Sequence, residues 1–265
     1  MPRGQHMSLN APIKNWDGYR VWVIGASSGI GAAFARALIK KGARVALSSR
    51  NAQALAGIAA LGTPGQTLQL PLDVTRPEEF AAAFDRINST WSGLDLAVLL
   101  AGSHEPVRAW ELEATQARRL VETNLIGAMN ASAVLAPAFC RNSHGAIAIV
   151  SSVAGYGGLP SSLVYGATKA ALINFAETLY LDLAPRGIGV YLINPGFVKT
   201  PLTDKNEFTM PALISAEEAA REMIKGFEDG KFEIHFPKRF TLWLKLLRLL
   251  PYRFYFPLVH RFTGL

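Results

Sequence analysis

In the stretch LVYGATKAALINF, Tyr165 and Lys169 stand four residues apart with small residues between them. On a helix, residues at that spacing share a face, so a phenol and an ammonium are aimed at one point in space. A second stretch, VIGASSGIGAAFARAL, carries Gly25, Gly29 and Gly31, with Ser27, Ser28 and Ile30 between them. Glycine lets a loop turn sharply and lets the backbone approach a pyrophosphate closely. The free N–H groups and positive end of the helix that follows favour phosphate charge. Dinucleotide binding is the chemistry expected at this corner, because it sits on a strand-to-helix junction.

Those two groups of residues need a rigid scaffold to hold them in register, and the chain supplies one. Runs suited to strands occur at 19–24, 43–48, 67–72, 94–100, 146–151, 188–193 and 231–236. Helical stretches separate them near 30–41, 51–60, 77–91, 113–138, 163–184 and 215–229. Uninterrupted strand–helix alternation implies βαβ units with right-handed crossovers. The near-continuous apolar strands fit a parallel sheet buried on both faces. The expected fold is therefore α/β: one doubly wound Rossmann-type domain with a seven-stranded parallel sheet over 19–236. A basic amphipathic extension over 237–265 follows it. Residues 1–18 form the lead-in, and its opening MPRGQHM, which has no apolar signal core, reads as the remnant of a tag before Met7.

The second strand ends in ALSSRN, which offers Ser49 and Arg50 and no carboxylate. An acidic residue there would hold a ribose diol and repel a 2′-phosphate, whereas an arginine grips the phosphate with two hydrogen bonds. The cofactor expected is NADP(H), with Arg50 as an ordinary surface charge the alternative. Asp73, in PLDVT after the third strand, either meets the adenine edge or caps the helix beginning near Pro77.

With these motifs in place, the chain resembles the short-chain dehydrogenase/reductase family from about Tyr19 to Phe236. The resemblance rests on GASSGIG, on SSVAG at 151–155, on YGATK at 165–169 and on NPGFVKT at 194–200, in family order. Their spacing fits the compact branch of the family. The resemblance implies roles residue by residue. Tyr165 gives its proton to a carbonyl oxygen as hydride arrives at the carbon. Lys169 lowers the phenol's pKa from near 10 by its charge and binds the nicotinamide ribose. Ser152 holds the substrate oxygen, and Asn124 keeps a water in the proton relay to Lys169. The cofactor would further run along Val74, Ala101, Gly102, Pro195, Gly196, Val198 and Thr200. The family's long helices pair across two-fold axes, so a homodimer or homotetramer is expected from 113–138 and 163–184.

Two positions depart from the family pattern: Ile24 replaces a threonine before the first glycine, and Leu100 replaces an asparagine in LLAGS. Both should lie at adjacent strand ends, and exchanging both members of a buried polar pair for apolar groups is nearly neutral. The substrate is expected to be a small carbonyl or alcohol compound. Its pocket should draw on His104, Val153, Tyr156, Leu159 and Phe197 under a lid over 201–214. Phe208, Met210 and Leu213 point to an apolar substrate or to lid residues packed on the body. A non-catalytic NADP(H)-binding sensor or regulator is the alternative function, and a membrane-surface scaffold a third.

The net charge of +7 is concentrated in the tail. No acidic residue follows Glu233, while Lys238, Arg239, Lys245, Arg248, Arg253 and Arg261 all do. No nucleic-acid partner is expected from a basicity so confined. In the tail, Lys238, Thr241, Lys245, Arg248 and Tyr252 recur at helical spacing on one face, with Leu242, Leu246, Leu249 and Leu250 on the other. Pro251 stops the run short of the roughly 20 residues needed to span a bilayer. The tail is expected either to lie on an anionic membrane through residues 238–262, basic face to the headgroups, or to pack on the lid or a neighbouring subunit. His104, His144, His235 and His260 lack metal-ligand spacing, so no metal is expected. A single cysteine, Cys140, fits a reducing compartment, and the expected location is cytoplasmic, including the cytoplasmic face of a membrane.

Overall fold

A computed structural model describes residues 8–205 and 210–263. Residues 1–7, which include the stretch read as a tag remnant, and Phe208 of the expected lid lie outside the described residues. Aliphatic runs form β1 (Arg20–Ile24), β2 (Arg44–Ser48), β3 (Thr67–Gln69), β4 (Leu96–Leu99), β5 (Ala146–Val150), β6 (Gly189–Pro195) and β7 (Glu233–Phe236). The strands pair in the order β3-β2-β1-β4-β5-β6-β7. Every neighbouring pair is parallel, which is the seven-stranded sheet expected. Strand β3 is shorter than its apolar run. The amides of Leu70 and Leu72 still donate to Leu47 and Ser49 at 2.9 and 3.1 Å. Pro71 falls at the alternate position on the sheet edge, where a missing N–H costs no ladder bond.

Helices cover both faces. On one side α1 (Gly29–Lys40), α2 (Ala52–Ala59) and α7 (Ala216–Glu228) bury Phe34, Leu38, Leu55, Met223 and Phe227 against Val21, Val23 and Leu47. On the other, α3 (Pro77–Trp91), α5 (Gly127–Asn142) and α6 (Leu163–Leu183) bury Phe80, Ile87, Leu135, Phe139 and Leu172 against Trp22, Ala97 and Ile149. Alternate residues of one strand thus enter opposite layers, the period-two consequence of a pleated strand. Burying each large side chain contributes about 1.5–3 kcal/mol. The lead-in joins this core as well, because Ile13 and Trp16 are buried in the first layer and Asn10 bonds the Val190 carbonyl at 2.8 Å.

The helical stretch expected at 113–138 begins as α4 (Ala114–Val121), passes through a π-helical turn at Glu122–Ile126 and continues as α5. The run Ala114–Asn142 is long and apolar enough to cross a membrane by length and composition alone. Its packing gives another reason for that composition, since Ala131, Leu135 and Phe139 fill the second core layer.

The tail differs from expectation in its orientation. It forms two helices, α8 (Lys238–Arg248) and α9 (Tyr252–Thr263), parted at Pro251. The face carrying Thr241, Lys245 and Arg248 turns toward the body, not to solvent. Thr241 is fully buried and lies 2.6 Å from His235 Nδ1. Lys245 pairs with Glu233, and Arg248 donates to the Tyr156 carbonyl at 2.9 Å. The exposed groups include Leu242, Trp243, Leu246 and Leu249, the face expected to be covered. Glu233 and His235 of β7 and the Tyr156 carbonyl after β5 present polar groups that the polar helix face satisfies, and this fixes the rotation.

Candidate active site

At the carboxyl ends of β1 and β4 the chain reverses direction across the sheet, opening a crevice between neighbouring strands. A cleft of about 390 Å³ occupies it. Its wall begins at Gly25, Ser27, Ser28, Gly29, Ile30 and Gly31, follows Ser49, Arg50, Asp73, Val74, Ala101 and Gly102, and ends at Ser152, Tyr165, Lys169, Pro195, Gly196, Val198 and Thr200. Every catalytic and cofactor-binding residue expected from the sequence lines this one cleft, Asn124 excepted. Asn124 lies behind the wall, 1% exposed.

The glycine corner is shaped for close backbone approach. Gly25 has φ +103°, in the left-handed region that side chains rarely adopt. A Cβ at Gly31 would lie 2.1 Å from the Gly25 carbonyl oxygen, so no larger residue fits there without moving the loop. Helix α1 has no acidic residue in its first turn, and its N-cap Ser28 makes no side-chain cap bond. The first-turn amides and the positive helix end are therefore left for an anion. These features fit a dinucleotide pyrophosphate.

At the far end, Arg50 is exposed beside the cleft, and its charge helps lower the Asp73 pKa after the larger effect of the Thr75 amide. The Asp73 carboxylate accepts from the Thr75 amide and hydroxyl at 3.0 and 2.9 Å. It closes its own turn and does not cap α3, whose N-cap is Arg76. Ile24 and Leu100 do sit at adjacent strand ends, joined by the Leu100 amide to the Ile24 carbonyl at 2.8 Å. Their side chains enter opposite layers, however, so each is absorbed by its own core and they form no side-chain pair.

The other end holds the titratable groups. Helix α6 carries Tyr165 and Lys169 on one face, and the ammonium lies 5.6 Å from the phenol ring centre. Lys169 is 5% exposed and donates to the Val150 carbonyl at 3.0 Å. Burial holds its pKa down at about 8. Burial likewise pushes the Tyr165 phenol up, opposed only by a hydrogen bond with Ser152. This is opposite to the direction expected for Tyr165, because burial disfavours the charged phenolate. Ser152 Oγ also accepts from the Ala154 amide at 3.1 Å, which orients the hydroxyl. Asn124 is fixed in the π turn: its Nδ2 donates to the Ser103 carbonyl at 2.9 Å and to Thr168 Oγ1 at 3.2 Å, while its Oδ1 accepts from the Ser103 amide at 2.7 Å. A Cβ at Gly102 would stand 3.4 Å from Asn124 Oδ1 and 3.6 Å from Lys169 Nζ, so the glycine leaves both atoms facing one small space.

Some cleft residues escaped the sequence reading. Thr123, Val150, Leu202 and Thr203 line it too. Thr203 Oγ1 accepts from the Thr200 amide at 3.0 Å and donates to the Val198 carbonyl at 2.7 Å, bracing the corner after β6. The Thr-Pro-Leu-Thr sequence was the available signal, since a hydroxyl three residues on is suited to such a local turn. Of the residues expected around the substrate, His104 stacks edge-on against Tyr165 at 4.6 Å. Val153, Tyr156 and Leu159 turn instead toward the tail, around a small gap shared with Leu244, Leu247 and Tyr255. Phe197 packs on Phe240 at 5.5 Å, and Leu213 of the lid is exposed.

Sequence comparison agrees with this geometry, and the short chain dehydrogenase profile matches residues 20–210. The chain belongs to the short-chain dehydrogenase family. Among relatives of this chain, an uncharacterized oxidoreductase of Myxococcus xanthus is 34% identical over 86% of this chain and 91% of its own length. The 3-oxoacyl-[acyl-carrier-protein] reductase FabG of Escherichia coli is 33% identical over 71% of this chain and 77% of its own. A short-chain dehydrogenase from Sphingobium yanoikuyae, solved in complex with NADPH, aligns with TM-score 0.75 and 26% identity over 85% of this chain and 91% of that one. A short chain dehydrogenase/reductase from Burkholderia phymatum, solved with NAD, shares the fold with TM-score 0.81, at 24% identity over 88% and 94%.

Proposed function

We propose that this short-chain dehydrogenase is an NADPH-dependent carbonyl reductase whose substrates are ketones or aldehydes with an apolar body. The observation that carries the reading is the convergence of Ser152, Tyr165 and Lys169 at one end of a cleft whose other end offers Arg50 and no carboxylate at the end of β2. Solved family members hold NAD in one case and NADPH in another, which supports a nicotinamide cofactor here. Arg50 favours the phosphorylated form. When bound, NADPH supplies the hydride for the carbonyl carbon. Val198 and Leu202 on the cleft wall favour an apolar substrate body.

The chain's own residues manage the proton. Ser152 and Tyr165 hydrogen-bond the substrate oxygen and place it against the phenol. The raised Tyr165 pKa keeps the phenol protonated at neutral pH, so the donor is loaded before the oxygen gains charge. Once its proton moves to that oxygen, the phenolate is stabilised by the Lys169 charge. Lys169, held at about 8, exchanges protons close to neutrality and returns one toward Tyr165 through the space shared with Asn124.

The test is NADPH oxidation over a panel of ketones and aldehydes with Tyr165→Phe alongside. The phenyl ring keeps the shape and loses only the proton, so turnover should fall by about 10²–10⁴-fold while NADPH affinity holds. A Tyr165→Phe variant that works at the unmodified rate ends this mechanism. A wild-type chain that binds NADPH and reduces nothing in the panel favours the sensor instead.

A further inference from the structure

We infer that the outer face of the α8–α9 hairpin docks the protein onto an anionic membrane surface. The hairpin concentrates exposed apolar groups as no other region does: among the described residues, nine of the sixteen large exposed hydrophobics lie between Leu242 and Phe262. Leu242, Trp243 and Leu246 of α8, with Leu249 at its C-cap, follow helical spacing along one stripe, with Leu246 62% and Leu249 80% exposed. Phe262 of α9 meets Trp243 edge-on at 6.2 Å, which joins the two helices into one surface. An apolar patch of this kind, rimmed by polar groups, marks a site of interaction.

The polar side of the hairpin is already satisfied by the body, through Glu233, His235 and the Tyr156 carbonyl. What remains outside is apolar and cationic. Lys238, Arg239, Arg253 and Arg261 are exposed, and no acidic residue follows Glu233. Arg253 lies 4.7 Å over the Phe254 ring, an arginine held beside an exposed aromatic. Aromatics with arginines at the margin are the composition of a membrane interface, where rings sit at headgroup level and cations meet lipid phosphate. With 11 and 12 residues, α8 and α9 are each too short to span a bilayer, so the hairpin lies along the surface. A second copy is the poorer occupant. Two-fold pairing of this face would bring arginines against arginines with no carboxylate on the hairpin to offset them.

The experiment is co-sedimentation of the full chain with vesicles of phosphatidylcholine, with and without phosphatidylserine. The chain should pellet with the anionic vesicles and be released by salt. The Leu246→Glu/Leu249→Glu variant should abolish pelleting while its far-UV circular dichroism and thermal midpoint stay unchanged, because both side chains are largely exposed. Arg239→Gln/Arg253→Gln/Arg261→Gln should weaken binding by roughly a hundredfold, about fivefold per arginine. Equal pelleting on neutral vesicles overturns the proposal, as does retention by the Leu246→Glu/Leu249→Glu variant. Failure of the wild-type chain to pellet overturns it too. If that failure accompanies a self-associated mass that falls to one chain in Leu246→Glu/Leu249→Glu, the occupant is a second copy. None of these readouts depends on turnover.

Discussion

Replacing Lys169 by methionine should uncouple stability from catalysis, and pH makes the effect measurable. In the fold, burial lowers the Lys169 pKa from 10.5 to about 8. Between those values the unfolded chain holds a proton that the folded chain has released, so stability must rise with pH across that window. Charging Lys169 in the fold costs about 3 kcal/mol at about pH 7, and about 2 kcal/mol of that is recovered by about pH 9.5. In Lys169→Met this dependence disappears. The Val150 carbonyl loses its donor at every pH, and that loss cancels from the comparison. Urea unfolding followed by tryptophan fluorescence, at fixed protein concentration, gives the difference between wild type and variant at each pH. The wild type should gain about 2 kcal/mol on the variant between about pH 7 and about pH 9.5, while the variant loses NADPH-dependent reduction at both. A difference flat to within about 0.5 kcal/mol would show that Lys169 is not a buried amine of lowered pKa.

Arg50→Ala should erase a preference for NADPH over NADH of about one to two decades in kcat/KM, the worth of a charge-assisted phosphate contact; steady-state kinetics with both cofactors decides it. Gly31→Ala must displace the Gly25 carbonyl and should weaken NADPH binding at least about tenfold by fluorescence titration, with a loss of about 1–3 kcal/mol in stability. Gly57→Ala is the contrasting control: it sits inside α2 with nothing within 4 Å of its new methyl, and should raise stability by about 0.5–1 kcal/mol in urea unfolding. The long helices α5 and α6 are expected to pair across a two-fold axis, and light scattering at micromolar concentration should then return a multiple of 28.7 kDa; a single-chain mass refutes that assembly.

The scaffold was readable because its signals are local and repeated. Strand–helix alternation sets a parallel sheet whatever the details of packing, and the glycine corner, the Ser152 turn and the Tyr165–Lys169 pair each announce themselves within a few residues. What escaped reading depends on through-space context. Periodicity gave the tail two faces, but only Glu233, His235 and the Tyr156 carbonyl, brought together by β7 and the turn after β5, determine which face turns inward. The π turn at Glu122–Ile126 has no propensity signature, although it aims Asn124 at the Ser103 backbone. The rise in the Tyr165 pKa follows from burial at the cleft floor, which no spacing rule reports. Tyr156 and Leu159 follow the fifth strand, which points them at a substrate, yet the hairpin claims them.

Glu233 ties these parts together. Its carboxylate accepts from the Tyr156 hydroxyl at 2.6 Å and from Asn194 Nδ2 at 2.9 Å, and it pairs with Lys245. Burial would raise its pKa, but these three partners outweigh that and hold it below the ordinary glutamate range. Seen along the time axis of synthesis, the arrangement imposes an order. Ser152, Tyr165 and Lys169 leave the ribosome well before residue 233, and the segment behind Ser152 then has neither the carboxylate for Tyr156 nor the Tyr255 hydroxyl that later bonds Gly158. A nascent chain halted before β7 would hold Ser152, Tyr165 and Lys169 and lack the clamp on the loop after the serine. The loop that follows Ser152 is thus braced only by the distal end of the polypeptide, first by Glu233 of β7 and then by Arg248 and Tyr255 of the outward-facing hairpin.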